Sequence, residues 1–280
     1  MTGYYDELTA HHGPEGAHVD GWRHRLEQWL RFEIVSRGLK LDSESRVVDL
    51  GCGTAQLLEY LQTCQLGHYV GVDLRSDVLE TAKDQFHTSP ARFVCANWND
   101  PIVDEAGPYD FAVAIGTMVD GDISDGPSRK QQVEELISRL HQLGRRGWAL
   151  VALDQKRLEM DPVRSMEPFL KGAAAWEVRE IVDELGVEAV IDQSAVPTDL
   201  IVIHRRGEKP EAITCRVTGD EPHHAVLEDV GADGGVDRAR RVWFWMTTGR
   251  LDKARQVWKS MPDSHLRKKL LGEQLRMREA

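Results

Sequence analysis

The stretch RVVDLGCGTAQLLEYL, Arg46–Leu61, decides how this chain folds. Arg46 to Leu50 is rich in Val and Leu and reads as a buried strand. In Asp49-Leu50-Gly51-Cys52-Gly53-Thr54-Ala55 two glycines allow a sharp bend and a close approach to a ligand, with no Cβ in the way. The segment AQLLEYLQ that follows repeats its apolar residues at helical spacing. Strand, turn and helix in that order put the glycines at the carboxyl end of a strand, where doubly wound sheets bind their ligands. A dinucleotide fingerprint needs Gly three places after Gly53, and residue 56 is Gln. Asp49, two residues before the first glycine, is an odd neighbour for a pyrophosphate and a sensible one for an amino-acid ammonium group.

Outward from this turn, strand-like runs alternate with helical patterns from Arg46 to Arg206, the signal of a mostly parallel sheet covered on both faces. The runs are RVVDL (46–50), HYVGVDL (68–74), ARFVC (91–95), YDFAVAIG (109–116) and WALVALD (148–154). Between them lie AQLLEYLQ, SDVLETAKDQF and SRKQQVEELISRLHQL, the last with Val133, Leu136, Ile137 and Leu140 as a stripe. Ser76 and Ser128 are placed to cap two of these helices. After a polar connection with Pro162 and Pro168, AWEVREIVDELG reads as a helix closed by Gly186. VEAVID and DLIVIHRR are joined by the short link QSAVPT, which suits antiparallel neighbours, so the sheet is expected to end in a hairpin. Upstream, WRHRLEQWLRFEIVSRGL (22–39) is expected to be a helix with Leu26, Trp29, Leu30 and Ile34 inward.

The chain has 280 residues, enough for one large core with an appendage, and a net charge of −11. That charge is unevenly spread: from Val236 onward there are 12 Lys and Arg against 5 Asp and Glu, so an acidic body carries a basic tail. Residues 207–235 are dense in turn formers and are expected to be a linker, and 236–280 a basic helical extension. Within it, GRLDKARQVWKSMP resembles half of a pentatricopeptide-type repeat, without a second copy to stack on. No apolar run approaches a membrane span, and MTGYYDELTAHHG lacks the features of a secretory signal, so the expectation is a cytoplasmic protein. Cys52, Cys64, Cys95 and Cys215 show no spacing for zinc or a disulfide framework and are read as reduced, mostly buried thiols.

Val47 to Ala55 resembles motif I of the class I S-adenosylmethionine-dependent methyltransferases, Asp/Glu-x-Gly-x-Gly-x-Gly, with Ala55 in place of the third glycine. The element order of residues 46–206, terminal hairpin included, is also similar to that family's seven-stranded sheet. The resemblance implies an α/β, Rossmann-like three-layer sandwich, here with an N-terminal lid and helix (1–40), a core (41–206), the linker and the C-terminal helical extension. It implies S-adenosyl-L-methionine as cofactor, its methionine end at Asp49, Gly51 and Gly53. Asp73, twenty residues after Gly53 at the end of the second strand, is placed to accept both ribose hydroxyls, and the family has an acid there too. The bland alternative is that Asp73 caps the helix at Ser76. By the same resemblance Leu74 packs on the adenine face, Asn97 meets the adenine amino group where Asp is more usual, and Gly116 borders the methyl group. Trp98 either stacks on adenine or is simply packed.

The sulfonium is already an electrophile, so the protein must align a nucleophile, exclude water and, where needed, accept a proton. Asp120, closely following the fourth strand, is the candidate base, and a surface carboxylate is its alternative. The tetrad Asn/Asp-Pro-Pro-Tyr/Phe of base-methylating enzymes is absent, and Asp120, Asp122 and Asp125 do not compel a metal site. Tyr4, Tyr5 and Trp22 are candidates for a lid, and His11-His12 for a second base. The expected acceptor is O or N of a small molecule. The alternatives are an RNA or protein substrate docked by the basic tail with Trp243, Trp245 and Trp258, and a protein that binds the cofactor without transferring its methyl group. No membrane partner is expected, nucleic acid could enter only through the tail, and the tail's helices would otherwise pack on the acidic body or make a homodimer.

Overall fold

The computed structural model describes residues 25–62, 67–117, 128–160, 172–193, 195–196, 199–209, 211–213, 215–218, 226–229, 255–256 and 258–259. The chain divides into two compact units, one of residues 1–60 and 66–213, the other of 61–65 and 214–280.

The first unit holds a seven-stranded sheet in the order β3-β2-β1-β4-β5-β7-β6. Its strands are β1 (Arg46–Leu50), β2 (His68–Asp73), β3 (Arg92–Cys95), β4 (Tyr109–Ile115), β5 (Gly144–Leu153), β6 (Val190–Asp192) and β7 (Asp199–Arg205). β1 pairs in parallel with both β2 and β4, and β4 with β5, while β7 runs antiparallel to β5 and β6. The expected terminal hairpin is therefore present. Strand order reverses between β1 and β4, which opens a crevice at their carboxyl ends.

Seven helices are described: α1 (Arg25–Leu39), α2 (Gln56–Gln62), α3 (Ser76–Gln85), α4 (Pro101–Glu105), α5 (Arg129–Leu143), α6 (Gln155–Met160) and α7 (Ala175–Glu184). One face of the sheet, with Val48, Leu50, Val72, Ala112, Trp148, Leu150 and Val202, is filled by Val133, Leu136, Ile137 and Leu140 of α5 and Val178, Ile181 and Val182 of α7. The stripe read from the sequence is thus the buried side of α5. On the other face α1 meets α2 through Trp29, Phe32 and Tyr60, and Phe86 beyond α3 meets Phe93 of β3. Both faces being covered explains why the central strands read as continuous apolar runs.

Several local expectations are refined. Ser128 caps α5 in a full capping box with Gln131, because its hydroxyl accepts the Gln131 N–H and the Gln131 side chain accepts the Ser128 N–H. Ser76 is not a cap: it is the first helical residue of α3, the cap position is Arg75, and Asp73 accepts the Arg75 N–H instead. β5 begins four residues before Trp148, and α4, capped by Asp100 with Pro101 at its first position, was not foreseen. α1 is buried almost all round rather than on one stripe; Leu30 and Ile34 are inside as expected, but so are Gln28, Arg31 and Glu33. Arg31 forms a two-pronged buried ion pair with Asp199 of β7, and Tyr60 donates to Glu33.

In the second unit β8 (Cys215–Thr218) and β9 (Val226–Asp229) form an antiparallel pair, so the stretch expected to be a linker contains a short ladder of its own. Its composition of turn formers hid two four-residue strands too short to show alternation. Among the described residues no helix is long and apolar enough to cross a membrane.

Candidate functional site

The turn after β1 is built by left-handed positions at three alternate residues: Gly51 at φ 78°, Gly53 at φ 52° and Ala55 at φ 61°. The third is where the family pattern has glycine, and Ala55 adopts the same conformation at a cost of roughly 1–2 kcal/mol that a glycine would not incur. Gly51 also has no room for a side chain, since a Cβ there would lie 2.5 Å from both Cγ2 and Oγ1 of Thr117. Thr117, just beyond β4, donates its hydroxyl to the Leu50 carbonyl and so locks the end of β4 onto the turn. The N–H groups of Gly51 and Cys52 donate to the Val72 carbonyl at 2.7 and 3.0 Å, which ties the turn to β2 as well.

Asp73 completes the frame. Its Oδ2 accepts the Gly53 N–H and its Oδ1 the Arg75 N–H, each at 2.9 Å. A carboxylate offers about four acceptor sites, so both oxygens keep capacity for ligand hydroxyls. Burial raises the Asp73 pKa above the ordinary value, an effect opposed by the hydrogen bonds from Arg75 and Gly53 and by the Arg75 charge. Leu74 follows with its side chain 64% exposed, an unusual posture for a leucine at a strand end. Cys95, at the end of β3, is an exposed free thiol whose Sγ lies 3.6 Å from the Leu74 carbonyl, whereas Cys52 in the turn is buried.

Asn97 is exposed, and its side-chain oxygen accepts the Asn99 N–H at 3.0 Å. The second lone pair of that oxygen and the amide NH2 group remain its means of meeting a ligand. Trp98 is partly buried and packs against the apolar core. Its carbonyl accepts Nε of Arg139 at 2.8 Å, and the same guanidinium grips Asp104 at 3.0 and 2.7 Å, so the end of β3 is clamped to α5 and α4. Gly116 is left-handed, at φ 80°, and donates to Val151 at 2.9 Å. Asp120, Asp122 and Asp125 lie outside the described residues, as do Tyr4, Tyr5, Trp22 and His11-His12. Among the described residues no group of three or more His, Cys, Asp or Glu could hold a metal ion.

Asp49 is buried, with 4% of its surface exposed, and Oδ2 accepts the hydroxyl of Tyr69 at 2.6 Å. Tyr69 and Thr117 are the two site residues that sequence reasoning missed. A tyrosine in an apolar strand and a threonine after one look like ordinary core and loop. Only the register, which sets Asp49 opposite Gly71 and Val47 opposite Tyr69, shows what they reach.

Residues 47–144 match the family described as methyltransferase domain. The core is similar to a methyltransferase domain. The glycine turn and Asp73, at the carboxyl ends of β1 and β2, fall within the matched residues. The fold is similar to that of the N-methyltransferase NodS from Bradyrhizobium japonicum WM9, solved with S-adenosyl-L-homocysteine: TM-score 0.51, 15% identity, 73% of this chain and 98% of that one covered. It is also similar to magnesium protoporphyrin IX methyltransferase from Synechocystis PCC 6803, at TM-score 0.47, 16% identity, and 65% and 81% coverage. An uncharacterized protein of Methanocaldococcus jannaschii is 27% identical over 119 residues, 40% of this chain. The match spans about 30% of that relative's length.

Proposed function

We propose that this chain transfers the methyl group of S-adenosylmethionine to O or N of a small-molecule acceptor. The observation that carries the cofactor half is the double use of Asp73, which fixes the glycine turn through Gly53 and keeps acceptor capacity for the ribose hydroxyls. The cofactor supplies the electrophilic methyl group, and the protein's residues orient it. Asp49 receives the methionine ammonium, Asp73 the ribose, and Leu74 and Asn97 the adenine. Gly51, Gly53 and Gly116 allow backbone to approach where a side chain would intrude. Holding the acceptor nucleophile in line with the S–CH3 bond and excluding water supplies most of the rate in such a reaction. Asp120 is proposed as the group that takes the acceptor's proton.

The small-molecule reading is supported by the charge of the chain, since residues 1–235 are strongly acidic and would repel a phosphate backbone. The test is to incubate the purified chain with methyl-labelled S-adenosylmethionine and fractionated cell extract. Label in small metabolites is the expected outcome. Label in RNA or protein would overturn the acceptor class, and label in no fraction would favour a binding protein without transfer.

A further inference from the structure

Asp49, Tyr69, Gly71 and Asp73 lie on the same face of two adjacent strands. The parallel register pairs Asp49 with Gly71, and alternation along β2 sets Tyr69, Gly71 and Asp73 on one side. Gly71 leaves no room for a side chain in this arrangement. A Cβ there would lie 2.7 Å from Sγ of Cys52, 3.0 Å from Cδ1 of Phe93 and 3.1 Å from Cε1 of Tyr69. The Tyr69 ring therefore passes over the backbone of Gly71, is braced by the edge of Phe93 at a centroid distance of 6.2 Å, and ends with its hydroxyl on Asp49. Both partners are nearly solvent-free, and the 2.6 Å separation is that of a charge-assisted O–H···O⁻ bond.

We infer that Tyr69 is a positioning residue for the cofactor: its hydroxyl fixes the rotamer of the Asp49 carboxylate that receives the ammonium group of S-adenosylmethionine. The inference rests on the reading of Asp49 given under the proposed function. A buried carboxylate on a strand two residues before the first glycine of the turn has two χ angles to set, and a flexible acid would present its negative charge over a range of directions. The bond from Tyr69 restricts that freedom before the ligand arrives. The division of labour is then spatial. Asp73 belongs to the ribose, and the pair Tyr69–Asp49 to the amino-acid end.

That division supplies a test a merely structural role would not pass. S-adenosylhomocysteine carries the amino-acid end, whereas 5′-methylthioadenosine keeps adenosine and the thioether but lacks the ammonium and carboxylate groups. In the full chain, Tyr69→Phe keeps the ring and removes only the hydroxyl. Calorimetry is expected to show S-adenosylhomocysteine affinity falling by about tenfold, the scale of one hydrogen bond to a charged group, with 5′-methylthioadenosine affinity unchanged within about twofold. In the double variant with Asp49→Asn, the loss is expected to be no larger than for Asp49→Asn alone. Equal losses for both ligands, unchanged S-adenosylhomocysteine affinity, or additive losses in the double variant would each overturn the inference. Failure of the unsubstituted chain to bind either ligand is a different result and would overturn the cofactor reading beneath it.

Discussion

Asp73 links sequence, electrostatics and ligand at the scale of one side chain. Its folded-state pKa is raised by burial, so between the ordinary aspartate value and that raised value the folded protein holds a proton that the unfolded chain has released. The sign follows: this group costs stability as pH rises through that window. On the proposed ribose-binding role, cofactor affinity runs the other way, because the charged form is the better acceptor, so affinity is expected to be full above the raised pKa and to decline as pH falls through it. S-adenosylhomocysteine titrations from neutral pH downward should lose affinity at a higher pH than an ordinary aspartate would dictate, and Asp73→Asn should abolish that dependence. Gly51 offers a stability test. Gly51→Ala combines a left-handed backbone with a Cβ inside Thr117 and should cost about 2–4 kcal/mol by chemical denaturation. The acids and glycines were legible in the sequence because their spacing along the chain carries the signal. Tyr69 and Thr117 were not, because their partners are set by strand register and by the approach of β4 to the turn.

Helix ends and strand runs were legible where one local interaction decides the outcome. Ser128 is such a case: the capping box needs only Ser128 and Gln131, and both are present in the sequence at the right separation. Ser128→Ala should cost about 1 kcal/mol of stability. Because α5 buries Val133, Leu136, Ile137 and Leu140, this loss should appear in global unfolding rather than as local fraying. Ser76 shows the opposite situation: it is the first helical residue, and the cap position before it, Arg75, makes no side-chain capping bond. α1 was legible as a helix but not in its burial. The apolar stripe named only its inward side, whereas Gln28, Arg31 and Glu33 are buried as well, Arg31 against Asp199, 168 residues away. Removing one member of a buried pair leaves an uncompensated charge, so Arg31→Met should destabilise by about 3–5 kcal/mol. The hairpin of β8 and β9 escaped reading because four-residue strands amid turn formers carry almost no periodic signal.

On the scale of the whole molecule, the alternation of strands and helices from Arg46 to Arg206 forecast the layered sheet and its closing hairpin, since the parallel core demands crossovers and the short link before β7 forbids one. The first compact unit reaches Ile213, a few residues past the expected core boundary at 206. A chain ending there is expected to fold and to bind S-adenosylhomocysteine within a few-fold of the full chain; loss of cooperative unfolding would show that residues 214–280 complete the core. The glycine turn and Asp73 are proposed as the seat of S-adenosylmethionine. Calorimetric titration of the cofactor into the unsubstituted chain and into Asp73→Ala tests it most directly. The account predicts saturable one-to-one binding by the former and no detectable binding by an Asp73→Ala chain that retains its circular dichroism spectrum, and equal affinity for the two would contradict it.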